Sequence, residues 1–165
     1  MTTTLLPNTL YICLFLRSDP PLPDDFHWAL YHHSTNSGTK YHITNEGRGW
    51  IAGHSCESPS SILKSFLLVG LIRVAGLNNT NTNTDDLNRK IDSTLRSHDD
   101  KLNDKDGVTC RIWLFEMLSI LYSEGLLTDV KCGGDMKMLE RVVKQWGNGF
   151  AEGGARNVQP RPVEI

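Results

Sequence analysis

The segment from Cys110 to Glu124 constrains the fold of this chain more than any other. Its apolar residues fall on most faces of a helix, and Gly125 is placed to end that helix. A helix that is apolar on most faces has to be covered by several neighbours. We therefore expect a central, largely buried helix with the rest of the chain packed around it.

Short apolar runs rich in strand-forming residues dominate the first half of the chain. One run extends from Leu10 to Leu16, between prolines, and a second candidate strand extends from His27 to His33. A Ser/Asn/Gly turn then leads to a third, from Thr39 to Thr44. Further strands are predicted at Trp50 to Ala52 and within Ser65 to Val74.

Helical spacing dominates the second half. Thr84 or Asp85 can begin one amphipathic helix, and another is predicted from Met136 to Trp146. Strands first and helices later predict an α+β fold, with an antiparallel sheet and the buried central helix. We expect one catalytic-type domain over residues 1–147 and an irregular C-terminal tail over residues 148–165.

Charge and hydropathy exclude several classes of protein. A net charge of −2 and a pI of about 6.3 give no electrostatic basis for nucleic-acid binding. No segment approaches the roughly 20 apolar residues of a membrane span. The run from Leu10 to Leu16 lacks a preceding basic residue and a following cleavage site, so we interpret it as a strand rather than a signal peptide.

The four cysteines have neither disulfide-like nor zinc-like spacing. Free thiols in a reducing, cytoplasmic compartment are the expectation. The chain has no phosphate loop, dinucleotide fingerprint or metal motif, so we expect no cofactor and no metal. The expected partner is a small-molecule or peptide substrate, and the sequence leaves the oligomeric state open.

Cys110 is a candidate nucleophile because of its place in the predicted helix. It follows Thr109, a good N-cap residue, so its thiol would lie in the first turn. Unpaired amides at a helix start favour a thiolate and can also hold an oxyanion. The alternative is that Cys110 is a small apolar residue packed in the core.

His27 is the candidate base, and His42 is the candidate group that orients it. In a strand, His27 shares a face with Ala29 and Tyr31, while His42 lies on the strand across the hairpin. A base held by a second polar group is what activation of a nucleophile requires. Asn45 and Glu46 are alternatives to His42 in that orienting role.

Four histidines fall in this hairpin, but no carboxylate accompanies them at a metal-binding helical spacing. A metal site is therefore the weaker interpretation. His32 and His33 are adjacent, point to opposite faces and lie near the turn. We expect both to be solvated.

The segment His27-Trp28-Ala29-Leu30-Tyr31 resembles the His-Trp-Ala strand of the lecithin retinol acyltransferase family, a circularly permuted branch of the papain-like peptidoglycan endopeptidase superfamily. In that family a second histidine and then a helix-opening cysteine follow, and His42 and Cys110 match them in order. Residues 10–147 also resemble a group of small fungal proteins of uncharacterised function. Around the cysteine, Thr-Cys-Arg-Ile replaces the family's Asn-Cys-Glu-His.

The resemblance implies a permuted papain-like arrangement and a cysteine-dependent hydrolase or acyltransferase acting on an amide, ester or thioester. His27 would take the proton of Cys110, His42 would orient His27, and the acyl-thioester would pass to water, an amine or an alcohol. The residues around these three that would contact the substrate are Trp28, Tyr31, Thr109 and Trp113.

Two further functions stay open at this point. One is a cofactor-free cyclase or isomerase of fungal secondary metabolism, in which His27 acts as a general base without a covalent step. The other is a non-catalytic binding domain on the same fold, because a fold does not fix a function.

Overall fold

A computed structural model describes residues 4–80 and 82–165. The strands are β1 (Thr9–Leu16), β2 (Phe26–His33), β3 (Gly38–Tyr41), β4 (Ile43–Asn45), β5 (Trp50–Ala52), β6 (Ser55–Glu57), β7 (Leu68–Leu77), β8 (Leu127–Thr128) and β9 (Val163–Glu164). The helices are α1 (Pro59–Leu63), α2 (Thr84–Leu95), α3 (Cys110–Ser123) and α4 (Met136–Ala155), and a 3₁₀ turn spans Lys131–Gly134.

Seven of these strands form one sheet, in the order β6-β3-β2-β1-β7-β8, with β9 also paired to β7. All pairings in this sheet are antiparallel except that of β9 with β7. The strands β4 and β5 form a separate two-stranded ribbon. The prediction of an α+β fold with an antiparallel sheet is confirmed.

Both faces of the sheet are covered, and this decides where the site lies. On β2, Trp28 and Leu30 point into a core shared with α2, α3 and α4, which we call the helix face. Ala29 and Tyr31 point the other way, into a smaller core closed by Ile62 of α1, which we call the back face. Because β1 and β2 are buried on both faces, β1 is almost wholly apolar and β2 is apolar apart from its histidines.

Helix α3 begins where the sequence predicts. Thr109 is its N-cap, and the Thr109 hydroxyl accepts a hydrogen bond from the Ile112 amide at 3.2 Å. The helix packs against β2 and α2. Only one side of it is fully covered, because Ile112 and Tyr122 are 42% and 47% exposed.

Helix α4 is longer than predicted, and residues 148–165 differ from the expected irregular tail. The helix continues to Ala155, and Val163–Glu164 pairs with β7. Gly147 is a packing residue here rather than a helix end, because a Cβ on it would lie 2.5 Å from Leu14 Cδ1. No helix of the described residues is long and apolar enough to cross a membrane.

Candidate functional site

The structure joins His27 and His42 directly. His27 Nε2 and His42 Nδ1 lie 2.7 Å apart, within hydrogen-bond distance. His27 is on β2 beyond the end of β3, and His42 lies where the chain leaves β3 for β4. The expected third strand from Thr39 to Thr44 is therefore broken at His42, and this break places the second imidazole beside the first.

The Gly53 backbone lies against the edge of the His42 ring that carries Nε2. In the 2.7 Å contact one imidazole nitrogen donates and the other accepts, and the tautomers of the two rings decide which. With His27 Nε2 as the donor, His27 Nδ1 keeps its lone pair, and no group in residues 4–80 or 82–165 donates to it.

Gly53 is required by this arrangement. A Cβ on Gly53 would lie 2.8 Å from His42 Nε2, closer than side-chain atoms approach one another. The Gly53 amide also donates to the His42 carbonyl at 2.9 Å. These two contacts hold the β4–β5 ribbon against the histidine pair.

A third histidine, His54, holds the backbone of His42 in place. The His42 amide donates to His54 Nδ1 at 3.2 Å, and His54 Nε2 donates to Asp99 Oδ1 at 3.0 Å. The ring of His54 also stacks on Trp113 of α3, with centroids 5.9 Å apart. Both nitrogens of His54 are occupied, so His54 positions its neighbours and is not itself a free base.

Both imidazoles of the pair are neutral near pH 7. Burial, followed by the positive charges of Lys40 and Arg17, lowers the pKa of His27 to about 4. Burial and the neighbouring His27 lower the pKa of His42 to about 4. Lys40 is close by, with its Nζ 5.6 Å from the centroid of the Phe15 ring, and that ring contacts His27. The site therefore holds a base in its unprotonated form.

Cys110 packs among apolar residues. Its side chain is 7% exposed and lies in the core of the helix face, together with Trp28. His27 alternates with Trp28 along β2 and contacts Phe15, which packs on the back face. Within the described ranges, no hydrogen bond joins the Cys110 thiol to His27 or His42.

The predicted substrate contacts are structural in this conformation. Trp28 packs edge to face on Phe115, with centroids 5.6 Å apart, and Tyr31 donates to the Glu57 carbonyl at 2.8 Å. Both are at most 1% exposed. Thr109 caps α3 and Trp113 stacks on His54, as described above.

The remaining polar residues of the hairpin have other roles. Asn45 accepts a hydrogen bond from the Gly47 amide at 2.9 Å, and Glu46 is exposed, so His42 is the group that contacts His27. The prediction that His32 and His33 are solvated is wrong. They are 7% and 3% exposed, since His32 lies beside Asp92 of α2 and His33 stacks on Tyr31 of the back face.

Sequence reasoning missed Gly53, His54 and Asp99. Gly53 and His54 are adjacent in a loop, and Asp99 lies 45 residues after His54. The proximity of the Gly53-His54 dipeptide to the strand Trp50–Ala52 was the available signal, because a hairpin there returns the chain to His42. In the described chain, no group of three or more His, Cys, Asp or Glu residues is arranged to hold a metal ion.

No protein-family model matches the chain, and comparison with curated proteins and with solved structures finds no match.

Proposed function

We propose that this protein is a general-base enzyme in which neutral His27 removes a proton from a small organic substrate. The observation that carries the proposal is the 2.7 Å bond between His27 and His42. With His27 Nε2 as the donor of that bond, His27 Nδ1 is the proton acceptor. The reaction class is proton abstraction, as in a cyclase or isomerase, without a covalent intermediate.

The two histidines have different roles in this proposal. In this proposal His42 Nδ1 accepts the Nε2 proton of His27, and the Gly53 backbone packs against His42 Nε2. When His27 Nδ1 takes a proton, the new positive charge is shared with His42 through this hydrogen bond. His42 is thus a positioning residue, and His27 is the group that meets the substrate.

The thiol mechanism is the less supported proposal for the same chain. The order of His27, His42 and Cys110 along the sequence agrees with a permuted papain-like arrangement, and that likeness is kept as a proposal about descent. The placement of Cys110 in the helix-face core opposes its use as the nucleophile. The cytoplasmic location and the small-molecule or peptide substrate also stay proposals.

Proton exchange tests the proposal without the natural substrate. The protein is incubated in D₂O with a panel of small 1,3-dicarbonyl compounds, and the loss of the acidic C–H signal is followed by NMR. We expect exchange above the buffer rate, lost in His27→Ala and unchanged in Cys110→Ala. Its rate should fall only as the pH drops towards 4, where the pair takes up a proton.

Two results separate the alternatives. Loss of exchange in Cys110→Ala would contradict the non-covalent general-base mechanism and favour the thiol mechanism, in which His27 takes the proton of Cys110. Exchange at the buffer rate in wild type across the panel counts against the general base. Gly53→Ala tests the positioning role of His42, because its added Cβ displaces the His42 ring and should lower the rate while His27 remains.

A further inference from the structure

One side of α4 is both apolar and exposed, although the opposite side of the helix packs on the sheet. The residues of the exposed side recur at three- and four-residue spacing, so they form one line along the helix. We call this line the α4 stripe, and its members are Met138, Val142, Trp146, Gly149, Phe150 and Gly153. Met138, Val142 and Phe150 are 44%, 36% and 44% exposed. A row of large apolar side chains in water favours a partner that covers it.

The stripe has large side chains in its first half and open spaces in its second half. Met138 and Val142 lie in the first two turns of α4. A Cβ on Gly149 would meet nothing within 4 Å, and a Cβ on Gly153 would meet only Val158 Cβ, at 3.9 Å. The backbone of α4 is therefore accessible at both glycines, and another helix can approach it closely there.

A second copy of the chain, with its α4 antiparallel to the first, matches this arrangement. A two-fold axis between residues 145 and 146 places Met138 of one protomer opposite Gly153 of the second copy. The same axis places Val142 opposite Gly149. Each large side chain then occupies the open space beside a glycine, as in closely packed helix pairs. A parallel pair would instead place large side chains against each other and leave the glycines facing a gap.

Charged residues beside the stripe agree with the antiparallel direction. Arg141 is exposed and has no ion-pair partner among the residues that the structure describes. In the antiparallel pair it lies two positions, about 3 Å along the helix axis, from Glu152 of the second copy. Glu152 pairs with Arg156 of its own helix, and both side chains are 72% exposed, so the carboxylate can accept a second cation. Exposed pairs of this kind favour one orientation more than they add affinity.

We propose that this protein forms a two-fold symmetric dimer through the α4 stripe, with the two α4 helices antiparallel. The stripe extends about 22 Å from Met138 to Gly153, at about 1.5 Å per residue. Two helices packed over that length bury less than about 1,200 Å² in total, which is the low end of specific interfaces. We therefore expect a reversible dimer with a dissociation constant on the order of 100 μM. The histidine pair lies on β2 and after β3, so the dimer is independent of the general-base proposal.

Sedimentation equilibrium of the full-length protein under reducing conditions tests the dimer, at concentrations from about 5 μM to about 1 mM that span the expected constant. Val142→Glu places a charge in the stripe and should weaken association at least about tenfold. Ile51→Glu is the matched control, because Ile51 is an apolar residue of β5 that is 54% exposed, and it should leave association unchanged. A monomer at all concentrations, an assembly larger than a dimer, wild-type association in Val142→Glu, or an equal loss in both variants would overturn the proposal.

A charge exchange tests the antiparallel direction. Arg141→Glu and Glu152→Arg should each weaken the dimer about three- to tenfold, since the two-fold axis turns two attractions into repulsions. The double variant R141E/E152R should restore wild-type association. Under oxidising conditions, Met138→Cys in a Cys56→Ser background should not cross-link to its own copy, because the two positions lie about 22 Å apart in the antiparallel pair. No recovery in the double variant, or a disulfide-linked dimer of the Met138→Cys variant, would overturn the antiparallel arrangement.

Discussion

His27 differs from the other buried histidines of β2 in having an imidazole partner. His32 Nε2 and His33 Nδ1 are buried with no hydrogen-bond partner in the described residues, whereas His27 is held by His42. A ring held by a hydrogen bond presents its other nitrogen in a fixed direction, which a general base needs. The difference arises because β3 ends at Tyr41 and leaves room for His42 beside His27.

The charges around His27 give a prediction for its pKa. In an NMR titration of the histidine ring signals, His27 should protonate near pH 4 in wild type. Removing the charge of Lys40 in Lys40→Met should raise that pKa towards 6.5, because one of the groups that disfavour imidazolium is gone. Lys64→Met, on the exposed C-cap of α1, is the matched control and should leave the signal in place. A pKa of His27 that does not respond to Lys40→Met contradicts the assigned cause.

Thiol reactivity gives a second prediction for single residues. Cys56 is exposed on the edge strand β6, while Cys13 and Cys110 are 0% and 7% exposed. Iodoacetamide near neutral pH should therefore label Cys56 ahead of Cys110, as followed by peptide mass spectrometry. The matched variant Cys56→Ser should remove the fast phase. Labelling of Cys110 first would point to an activated thiol and return support to the thiol mechanism.

The contact of His27 with His42 was predictable from the sequence, and the face of the sheet on which Cys110 packs was not. Strand alternation and a hairpin are enough to bring two histidines on adjacent strands together. The sequence does not indicate which face of β2 the helix α3 covers. Trp28 and Leu30 on one side and Ala29 and Tyr31 on the other are all apolar, so alternation in β2 gives no preference for either face.

Among the secondary-structure elements, α4 shows why a glycine can be mistaken for the end of a helix. Gly147 follows the predicted end at Trp146, and glycine after an amphipathic run is typical of a helix end. In the structure its missing Cβ lets α4 approach Leu14 of β1 and Phe26 of β2. Tertiary packing thus overrides the local preference, and only knowledge of the sheet behind the helix could have revealed it.

Two glycines of α4 offer a matched test of this packing. Gly149→Ala places its Cβ in open space, so it should stabilise the protein by up to about 1 kcal/mol through helix propensity. Gly147→Ala places its Cβ 2.5 Å from Leu14 Cδ1 and 3.0 Å from Phe26 Cζ. We expect it to destabilise by about 1–3 kcal/mol through overpacking. Urea unfolding of both variants measures the difference, and equal effects would contradict close packing at Gly147.

Tertiary contacts also order the C-terminal residues that follow α4. Arg161 is 2% exposed, and its guanidinium donates to the Val158 carbonyl and to Asn157 Oδ1, both at 2.6 Å. These bonds close the chain after α4 and lead it to the pairing of β9 with β7. The glycine- and proline-rich sequence predicts irregular backbone, and the buried arginine is what its composition could not indicate.

For the whole molecule, burial of several neutral histidines couples folding to pH. Burial lowers the pKa of His32 to about 4, in the same direction as for His27, His42 and His33. An unfolded histidine has a pKa near 6.5. Between pH 6.5 and 4 the unfolded chain therefore binds more protons than the folded chain. The free energy of unfolding is greatest above pH 6.5 and falls as the pH decreases through that window.

Urea unfolding at a series of pH values tests this coupling. For His32 alone, a pKa lowered from 6.5 to about 4 corresponds to a loss of up to about 3 kcal/mol by pH 4, since each pKa unit is about 1.4 kcal/mol. His32→Gln should reduce the dependence on pH below 6.5, and a second variant, His27→Gln, should reduce it further. Above pH 7 the pH dependence from these residues should be absent in all three proteins. A variant whose unfolding free energy falls as steeply as that of wild type between pH 6.5 and 4 would mean that His32 does not fold in the neutral form. That result would also remove the reason to treat the histidines of this hairpin, His27 included, as neutral bases held by burial.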